Sequence, residues 1–571
     1  MKFLDYLKTN DVIQAAQFTK LRDNSAMSGM TAFQFLSSKD QNEYSIPYSV
    51  LDRQCRDWGA TLNIPIVSLE NTVQLKCDSA VYKKMAAPLE LVVKTLIPVS
   101  SEITGERLAI TNRPDDPVLK ARLAAAYAGQ PYSLAICSPD LWRQLHGLFV
   151  EPILLEHLSS TISKATSGNI SEAVLDSEAR KFYTTIINAG VAKRASDLHI
   201  IPCSDHAEVK FRVDGVQHHY INIPLDTLEK TCNILKNDGK ISVTHPNEPV
   251  DGKVRYSPSQ GKIPDDGIDL RISIIPSKKG PSLNVRYLSS KLYTFDELGM
   301  TPASIQAFSE ILDLPSGLVI QTGPTGSGKS TTLYAGLGYI HKSMRNIITA
   351  EDPVEILMDG IIQIDVSPDS RLDFASALKA SLRHDPDVIV VGELRDEPTA
   401  ALAVRAANTG HLVLTSLHTN DSVGTFERLI NLKVDSYSIG EVVAAVMGQR
   451  LVRVLCPHCK EEYELDLSSE EARLYRFPQS EGKIKLYRAK GCVACDNTGY
   501  HGRVAINEIL IIDPKLRNLI QRHATRQVIE EHLRECKFRT MYHDGLAKVI
   551  AGVTSLDEMT EFAKDTIAFK G

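Results

Sequence analysis

A glycine-rich segment of the chain has the residue types and spacing that bind nucleotide phosphates. Gly323-Pro-Thr-Gly-Ser-Gly-Lys-Ser330 fits the pattern G-x-x-x-x-G-K-[ST], follows an apolar strand and opens a helical pattern that ends at Ile340. Its glycines let backbone N–H groups surround a phosphate, Lys329 can reach the β and γ phosphates, and the Ser330 hydroxyl can bind Mg²⁺. The segment therefore predicts an ATP site with bound magnesium. The predicted binding residues are Gly323, Pro324, Thr325, Gly326, Ser327, Gly328, Lys329, Ser330 and Thr331.

Polar residues follow three further apolar segments and are candidates for the catalytic groups. Glu393 ends the run Ile389-Val-Val-Gly-Glu393, where a carboxylate could hold Mg²⁺ or its water, although a solvated loop acid is the alternative. Glu351 opens Glu351-Asp-Pro-Val-Glu355, where an acid held by a proline turn could orient the attacking water, and a plain turn is the alternative. His418 lies two residues past another strand, where an imidazole could contact the γ phosphate or serve only as a structural group.

Four of the ten cysteines are paired in a way that predicts a structural zinc site. Cys456-Pro-His-Cys459 and Cys492-Val-Ala-Cys495 offer four thiolates in the paired spacing of a zinc ribbon or knuckle. His458 is the one plausible substitute ligand, and four reduced cysteines without a metal are the alternative. Because four protein ligands leave no open position, Zn²⁺ bound here would be structural.

Four short apolar segments must position the nucleotide-binding and catalytic side chains. They cover residues 317–322, 346–350, 387–391 and 411–416 and alternate with helical patterns, which indicates a parallel sheet with helical crossovers. Ligands of such sheets bind beyond the carboxyl ends of the strands. We therefore expect the polar residues that follow these segments to converge on one site.

The region before this sheet is predicted to be an α+β domain. Apolar spacing over residues 171–194 fits a helix, and alternating segments at 208–216, 268–275 and 282–288 fit strands of hairpins. The Ser, Thr and Gly content of residues 159–172 predicts a flexible link, because such residues bury little surface and favour turns. The predicted parts are an N-terminal partner-binding domain (1–100), a second N-terminal segment (101–158), the link (159–172), the α+β middle domain (173–295), the ATPase domain (300–453), a tetracysteine zinc subdomain (454–500) and a C-terminal helical part (501–571).

The overall composition indicates a large soluble globular chain. Its 571 residues include 64 Lys and Arg against 70 Asp and Glu, and a net charge of −6 provides no global field that would attract nucleic acid or anionic lipid. No stretch approaches the roughly 18 apolar residues of a membrane-spanning helix, and the amino terminus lacks the apolar core of a signal peptide. We therefore expect a cytoplasmic protein that binds no nucleic acid.

The motifs occur in an order that resembles the secretion ATPases of type II secretion and type IV pilus assembly. Besides the phosphate-binding loop, the matching segments are Ala195-Ser-Asp-Leu-His199, Arg212-Val-Asp-Gly215, Ile348-Thr-Ala-Glu-Asp-Pro-Val-Glu355, Leu382-Arg-His-Asp-Pro-Asp387, Gly392-Glu-Leu-Arg-Asp396, Thr409-Gly-His-Leu-Val-Leu-Thr-Ser-Leu-His-Thr-Asn420 and Gln449-Arg-Leu-Val-Arg453. The resemblance covers residues 195–508 and is specific because so many motifs follow in sequence.

The resemblance implies a multidomain α/β protein in which a PAS-like α+β domain precedes a RecA-like ATPase domain. It also implies roles for five residues: Glu351 is the general base, Glu393 the Walker B acid and His418 the γ-phosphate sensor, while Arg271 and Arg286 enter the site from the middle domain.

The resemblance further implies a homo-hexameric ring at the cytoplasmic face of the inner membrane. ATP hydrolysis would rotate the middle domains against the motor domains and act on an integral membrane platform protein that assembles pilin or pseudopilin subunits. A recruiting protein would bind the N-terminal domain. The chain departs from the family at Ser330, where threonine is commoner, at Lys379, where arginine is commoner, and over its first hundred residues, which match poorly and lack the cyclic-dinucleotide-binding pattern.

Three other functions fit parts of this pattern. Pilus-retraction ATPases usually lack a tetracysteine insertion, so the paired cysteines favour an extension motor. A nucleic-acid translocase would need a basic channel, which the net charge of −6 does not indicate. A scaffold that binds ATP without hydrolysing it would not need Lys329, Glu351 and Glu393 together. These motifs do not separate type IV pilus motors from type II secretion motors.

Overall fold

The computed structural model divides the chain into two compact units. One comprises Met1–Ser289 with Gly491–Thr498, and the other Ser290–Lys490 with Gly499–Gly571. No helix among the described residues combines the length and the apolar composition needed to cross a membrane. The structure describes residues 3–9, 48–62, 64–67, 75–85, 92–93, 95–101, 105–114, 116–167, 172–239, 241, 248–256, 267–288, 291–366, 372–477 and 482–564.

The N-terminal part of the first unit is built on a five-stranded sheet. Its strands are β1 Ile66–Val67, β2 Leu75–Cys77, β3 Leu96–Ser101, β4 Arg107–Thr111 and β5 Ser133–Cys137, and its helices are α1 Phe3–Thr9, α2 Tyr48–Leu62, α3 Ser79–Lys84, α4 Pro117–Tyr127 and α5 Pro139–Leu145, which a π-helical turn His146–Val150 follows. The strand order is β1-β5-β4-β3-β2. Trp58 and Trp142, the two tryptophans of the chain, are buried in its core.

Residues 159–167 form the second half of a helix, where their composition had predicted a flexible link. Helix α6 extends over Glu151–Ser167, and the rest of the predicted link lies partly outside the described residues. Leu155, Leu158 and Ile162 recur at helical spacing and are buried in the core of the middle domain. Burial of this apolar stripe outweighs the low helix propensity of the Ser and Thr residues between them.

The middle domain consists of a six-stranded antiparallel sheet whose core is shared with helices. The helices are α7 Glu172–Ala192 and α8 Leu225–Asp238, and the strands are β6 Asp197–Pro202, β7 Ala207–Val213, β8 Val216–Ile223, β9 Val250–Tyr256, β10 Ile268–Ser277 and β11 Gly280–Leu288. The strand order is β8-β7-β6-β11-β10-β9. Apolar residues on one face of the strands pack with α6, α7 and α8, as the alternating sequence pattern predicted.

The second unit is organised by a seven-stranded sheet with helical crossovers. Its strands are β12 Gly317–Thr322, β13 Ile347–Glu351, β14 Ile362–Asp365, β15 Val388–Val391, β16 Leu412–Leu417 and β17 Val443–Leu455, followed by the separate hairpin β18 Glu461–Asp466 and β19 Lys483–Arg488 and by β20 Tyr500–Ile511. Its longer helices are α9 Pro302–Leu312, α10 Lys329–Ile340, α11 Phe374–Ser381, α12 Glu397–Asn408, α13 Gly424–Asn431, α14 Ser436–Val442, α15 Glu470–Leu474, α16 Pro514–Gln521, α17 Arg526–Glu535 and α18 Met541–Ile550.

The order of the sheet is β14-β13-β15-β16-β12-β17-β20. All neighbouring pairs are parallel except β17 and β20. The four strands predicted from the sequence are confirmed as β12, β13, β15 and β16. Leu318 and Ile320 of β12 enter one hydrophobic core and Val319 enters another, so both faces of the sheet are covered. A strand buried on both faces must be apolar throughout, which is why these segments were recognisable.

The C-terminal part begins as a strand, although residues 501–571 were predicted to be helical. Strand β20 pairs antiparallel with β17, and helices α16, α17 and α18 follow it. Residues 504–508 of β20 are buried without interruption. A short, continuously buried run that includes the β-branched residues Val504 and Ile506 is consistent with a strand that is covered on both faces.

Candidate nucleotide-binding and catalytic site

The glycine-rich loop connects β12 to α10 at the carboxyl edge of the second unit's sheet. Gly323, Gly326 and Gly328 have φ angles of 153°, 78° and 85°, which side chains disfavour. A Cβ atom at Gly323 would lie 2.3 Å from the carbonyl oxygen of Gln449 on β17. The loop can therefore keep this close approach only with glycine, and it leads into the amino end of α10 at Lys329, where helix geometry favours an anion.

Lys329 is folded back over the loop in this structure. Its Nζ donates to the carbonyl oxygens of Gly323 at 2.7 Å and Pro324 at 3.1 Å. Burial lowers the pKa of Lys329, and the charge of Glu393 opposes that shift. The Nδ1 atom of His418 lies 3.4 Å from the same Nζ. The ammonium group is thus placed among the loop carbonyls, where charged phosphate oxygens would be stronger acceptors.

The side chains of the loop fit a bound nucleotide with magnesium. Thr325 and Ser330 are exposed, so the Ser330 hydroxyl is open to a cation, and Thr331 is partly exposed. The hydroxyl of Ser327 is buried and has no hydrogen-bond partner among the described residues. An unsatisfied buried hydroxyl in a glycine-rich loop before the amino end of a helix is suited to a polar ligand such as phosphate.

Glu393 lies at the centre of a polar cluster formed by three strand ends. Its Oε1 is 3.3 Å from Nε2 of His418, and its Oε2 accepts a hydrogen bond of 2.8 Å from Nε of Arg395. The Nη1 of Arg395 donates to Oδ2 of Asp352 at 2.8 Å. The segments after β13, β15 and β16 therefore meet beside Lys329, as expected for the carboxyl edge of a parallel sheet.

Glu351 has different surroundings from Glu393. It is buried at the end of β13, where its Oε1 accepts hydrogen bonds from Thr349 at 2.6 Å and Gln363 at 3.3 Å, and its Oε2 accepts one from the hydroxyl of Tyr334. Burial and the bond to Glu351 raise the pKa of Tyr334, which keeps the phenol protonated as a donor. In this arrangement the Glu351 carboxylate is engaged with its own strand and with α10.

Two side chains in the site had no role assigned from the sequence. Arg395 bridges Glu393 and Asp352, and Gln449 joins the phosphate loop to the sheet: its Nε2 donates to the carbonyl of Ser327 at 2.8 Å and its Oε1 accepts from Thr332 at 2.9 Å. Both residues lie in segments that carry the resemblance to the secretion ATPases, Gly392-Glu-Leu-Arg-Asp396 and Gln449-Arg-Leu-Val-Arg453. Neither motif indicated these contacts, because most of their partners are distant in sequence.

Arg271 and Arg286 are register partners on β10 and β11 of the first unit. Directly paired residues of an antiparallel ladder share a face, so one hairpin presents both guanidinium groups together. Nε of Arg286 donates to Oδ1 of Asp197 at 3.0 Å, whereas Asp269 pairs with Arg255. Arg286 is thus already paired with an acid, and Arg271 is exposed.

The four paired cysteines come together in the structure. The sulfur atoms of Cys456, Cys459, Cys492 and Cys495 lie within 4.8 Å of one another. His458 is exposed and is not part of the group. Four thiols around one point are the donor set that tetrahedral Zn²⁺ prefers.

Comparison with known proteins relates the larger part of the chain to one family. A family model described as "Type II/IV secretion system protein" matches residues 173–561. The type II secretion system ATPase E of Vibrio cholerae serotype O1 is 39% identical over 402 residues, which are 69% of this chain and 78% of the relative. The type IV pilus assembly ATPase PilB of Pseudomonas aeruginosa is 37% identical over 406 residues, which are 70% of each chain.

A solved structure shares the fold. The ATPase DotB of Legionella pneumophila aligns with a TM-score of 0.51 and 20% identity over 67% of this chain and 95% of its own. The family match includes the phosphate loop, the strand-end acids and the paired cysteines. With most of its length matched and relatives more than a third identical, this chain belongs to the type II/IV secretion system protein family.

Proposed function

We propose that this chain is a hexameric ATPase motor that drives assembly of type IV pili or of the type II secretion pseudopilus. The observation that carries the proposal is the cluster at the carboxyl edge of the sheet, where the phosphate loop, Lys329, Glu393 and His418 lie within hydrogen-bond reach. Family membership and relatives named as ATPases support the same reaction. We assign a RecA-like fold to residues 300–453 and a PAS-like fold to residues 173–295.

Each group at the strand ends has a proposed task in hydrolysis. The loop N–H groups hold the phosphates of ATP, and Lys329 exchanges its carbonyl partners for phosphate oxygens. Ser330 binds Mg²⁺, which neutralises phosphate charge, and Glu393 holds its coordinated water. His418, already placed between Glu393 and Lys329, contacts the γ phosphate and responds to its loss.

The general base is proposed to be Glu351, on the strength of the family's motif. To reach an attacking water, its carboxylate would first have to leave Tyr334, Thr349 and Gln363. Glu393, whose carboxylate contacts Arg395 and His418 instead, is the second candidate for the base. The two roles differ in geometry, since a base must lie within hydrogen-bond reach of the water it activates.

Conversion of hydrolysis into movement is assigned to the middle domain. Arg271 and Arg286 would stabilise the γ-phosphate charge when that domain closes over the nucleotide, and release of phosphate would weaken closure. In a homo-hexameric ring this cycle would rotate the domains and act on an inner-membrane platform protein. The chain would then be cytoplasmic and peripheral at the inner membrane, with a recruiting protein bound at residues 1–100.

The paired cysteines are proposed to bind Zn²⁺ as a structural metal. Their four sulfurs are close enough to share one ion. A tetracysteine segment is usual in extension motors and absent from most retraction motors. We therefore propose that this motor assembles the pilus or pseudopilus and does not retract it. No nucleic acid is needed for this function.

Measurement of Mg²⁺-dependent ATP hydrolysis tests the proposal. Lys329→Ala should abolish turnover, because phosphate charge loses its cation, whereas Lys342→Ala, which changes an exposed lysine just after α10, should have little effect. An unchanged rate in Lys329→Ala, or no hydrolysis by the wild-type protein, would refute the assignment.

A further inference from the structure

Glu508 on β20 is a buried carboxylate that the hydrolysis scheme leaves unused. It is 3% exposed, and no lysine or arginine among the described residues forms an ion pair with it. Instead its Oε1 accepts the backbone N–H of Ser422 at 2.8 Å and its Oε2 accepts that of Met541 at 3.2 Å. Burial raises the pKa of Glu508 to about 7, against the lowering effect of these bonds. A carboxyl group buried without a cation is costly and calls for an explanation.

The sheet makes room for this side chain. Gly448 of β17 is the register partner of Glu508, and a Cβ atom at Gly448 would lie 2.8 Å from both Cγ and Oε1 of Glu508. On its other side Gly448 pairs with Thr322, the last residue of β12 before the phosphate loop. The Glu508 side chain therefore crosses β17 through a gap that only glycine leaves open.

The amide of Ser422 belongs to the segment that carries His418. This segment, residues 418–424, is called the sensor loop here. At its start Thr419 N–H donates to the hydroxyl of Thr322 at 3.0 Å. Further along, Oδ2 of Asp421 accepts a bond of 2.6 Å from Arg526 of α17. The sensor loop is thus tied to β12 at one end and to the C-terminal helices at the other.

The amide of Met541 is the first of α18. The Glu508 carboxylate therefore lies between the amino end of a helix, which favours negative charge, and the sensor loop. A carboxylate can accept both N–H bonds, whereas a glutamine amide in the same place would direct its NH₂ group at one of the two donors. The two N–H donors are therefore matched best by the two acceptor oxygens of the ionised acid.

We propose that Glu508 is a positioning residue for His418, joining the sensor loop to α18 so that the position of this helix sets the position of the imidazole. The inference rests on the proposed ATPase function and adds a residue that touches neither nucleotide nor magnesium. It makes the C-terminal helices part of the machinery that places the γ-phosphate contact.

The test compares ATP turnover and ATP affinity in the full-length chain. Glu508→Gln should lower kcat about tenfold, the effect of losing one charge-assisted hydrogen bond, while KM and ATP affinity change by no more than about twofold. Glu427→Gln, on the exposed side of α13, is the matched control and should behave as wild type. In a His418→Ala background, Glu508→Gln should cause less than about a twofold further loss, because the two changes act through one group.

The outcomes separate this inference from the proposed function. Wild-type kcat in Glu508→Gln, or the same fold-loss with and without His418, would overturn it by showing that Glu508 has no role or only a structural one. If Glu508→Gln does not fold, as judged by loss of ATP binding, Gly448→Ala provides the same test, because the added Cβ displaces the intact carboxylate. A wild-type kcat in Gly448→Ala would also overturn the inference. Failure of the wild-type protein to hydrolyse ATP would instead refute the proposed function.

Discussion

Glu393 and Glu351 are both acids at strand ends, yet their carboxylates have different neighbours and are suited to different catalytic roles. Glu393 contacts His418 and Arg395, whereas Glu351 is held by Tyr334 and the side chains of its own sheet. Spacing in the sequence located both acids but could not distinguish these environments. The difference arises from residues distant in sequence.

Replacing Glu393 by glutamine should leave ATP bound but unhydrolysed. The amide keeps the size of the side chain but cannot hold the Mg²⁺-bound water by its charge. ATP affinity and single-turnover hydrolysis of Glu393→Gln would measure both effects. Hydrolysis at the wild-type rate would show that the Walker B assignment is wrong.

Arg395 is expected to matter through the two acids that it bridges. In Arg395→Ala, Glu393 and Asp352 lose their shared cation, so the placement of Glu393 beside His418 should loosen and kcat should fall about tenfold. Arg405→Ala, near the exposed end of α12, is the matched control. Steady-state kinetics would compare the two variants. An equal kcat in Arg395→Ala and Arg405→Ala would show that Arg395 has no role in hydrolysis.

At the scale of elements, the strands of the motor sheet could be predicted because burial on both faces makes them continuously apolar. The edge strand β14 was missed, since its residues are only partly buried and lack that signal. Helix α6 was missed because its Ser and Thr content hid a buried apolar stripe. Contacts such as Glu508 to Ser422 and Gln449 to Ser327 join residues far apart in sequence, so they required the folded chain.

The two turns that carry the paired cysteines, Cys456–Cys459 and Cys492–Cys495, should need bound zinc to stay folded. Binding of Zn²⁺ to four thiolates is worth about 10 to 16 kcal/mol in small domains, so chelation should unfold the cysteine turns and the adjoining hairpin β18–β19. The phosphate loop lies on another element and should still bind nucleotide.

Metal analysis of freshly purified, reduced protein should return one zinc per chain, and Cys456→Ala should lose it. Cys77→Ala changes a partly buried cysteine that belongs to none of the candidate metal-binding groups among the described residues, and it should retain the metal. Protein without zinc in the wild-type form would contradict the assignment.

At the scale of the whole molecule, the phosphate loop and the paired arginines belong to different units. We propose that hydrolysis requires both: the second unit would hold ATP, and Arg271 and Arg286 of the first would complete the site when the middle domain closes over the nucleotide. Because Arg271 and Arg286 are paired on one hairpin, both guanidinium groups could reach the nucleotide together. Arg286 would then exchange its acidic partner, Asp197, for phosphate.

The most direct test measures steady-state ATPase activity and ATP affinity of the assembled protein for Arg271→Ala and Arg286→Ala. Arg255→Ala, an exposed arginine of the adjacent strand β9, is the control. Turnover should fall about 10³-fold in each of the two variants, the lower range for arginine fingers, while ATP affinity changes little and the control stays near wild type. Near-normal turnover in both Arg271→Ala and Arg286→Ala would contradict the closure mechanism.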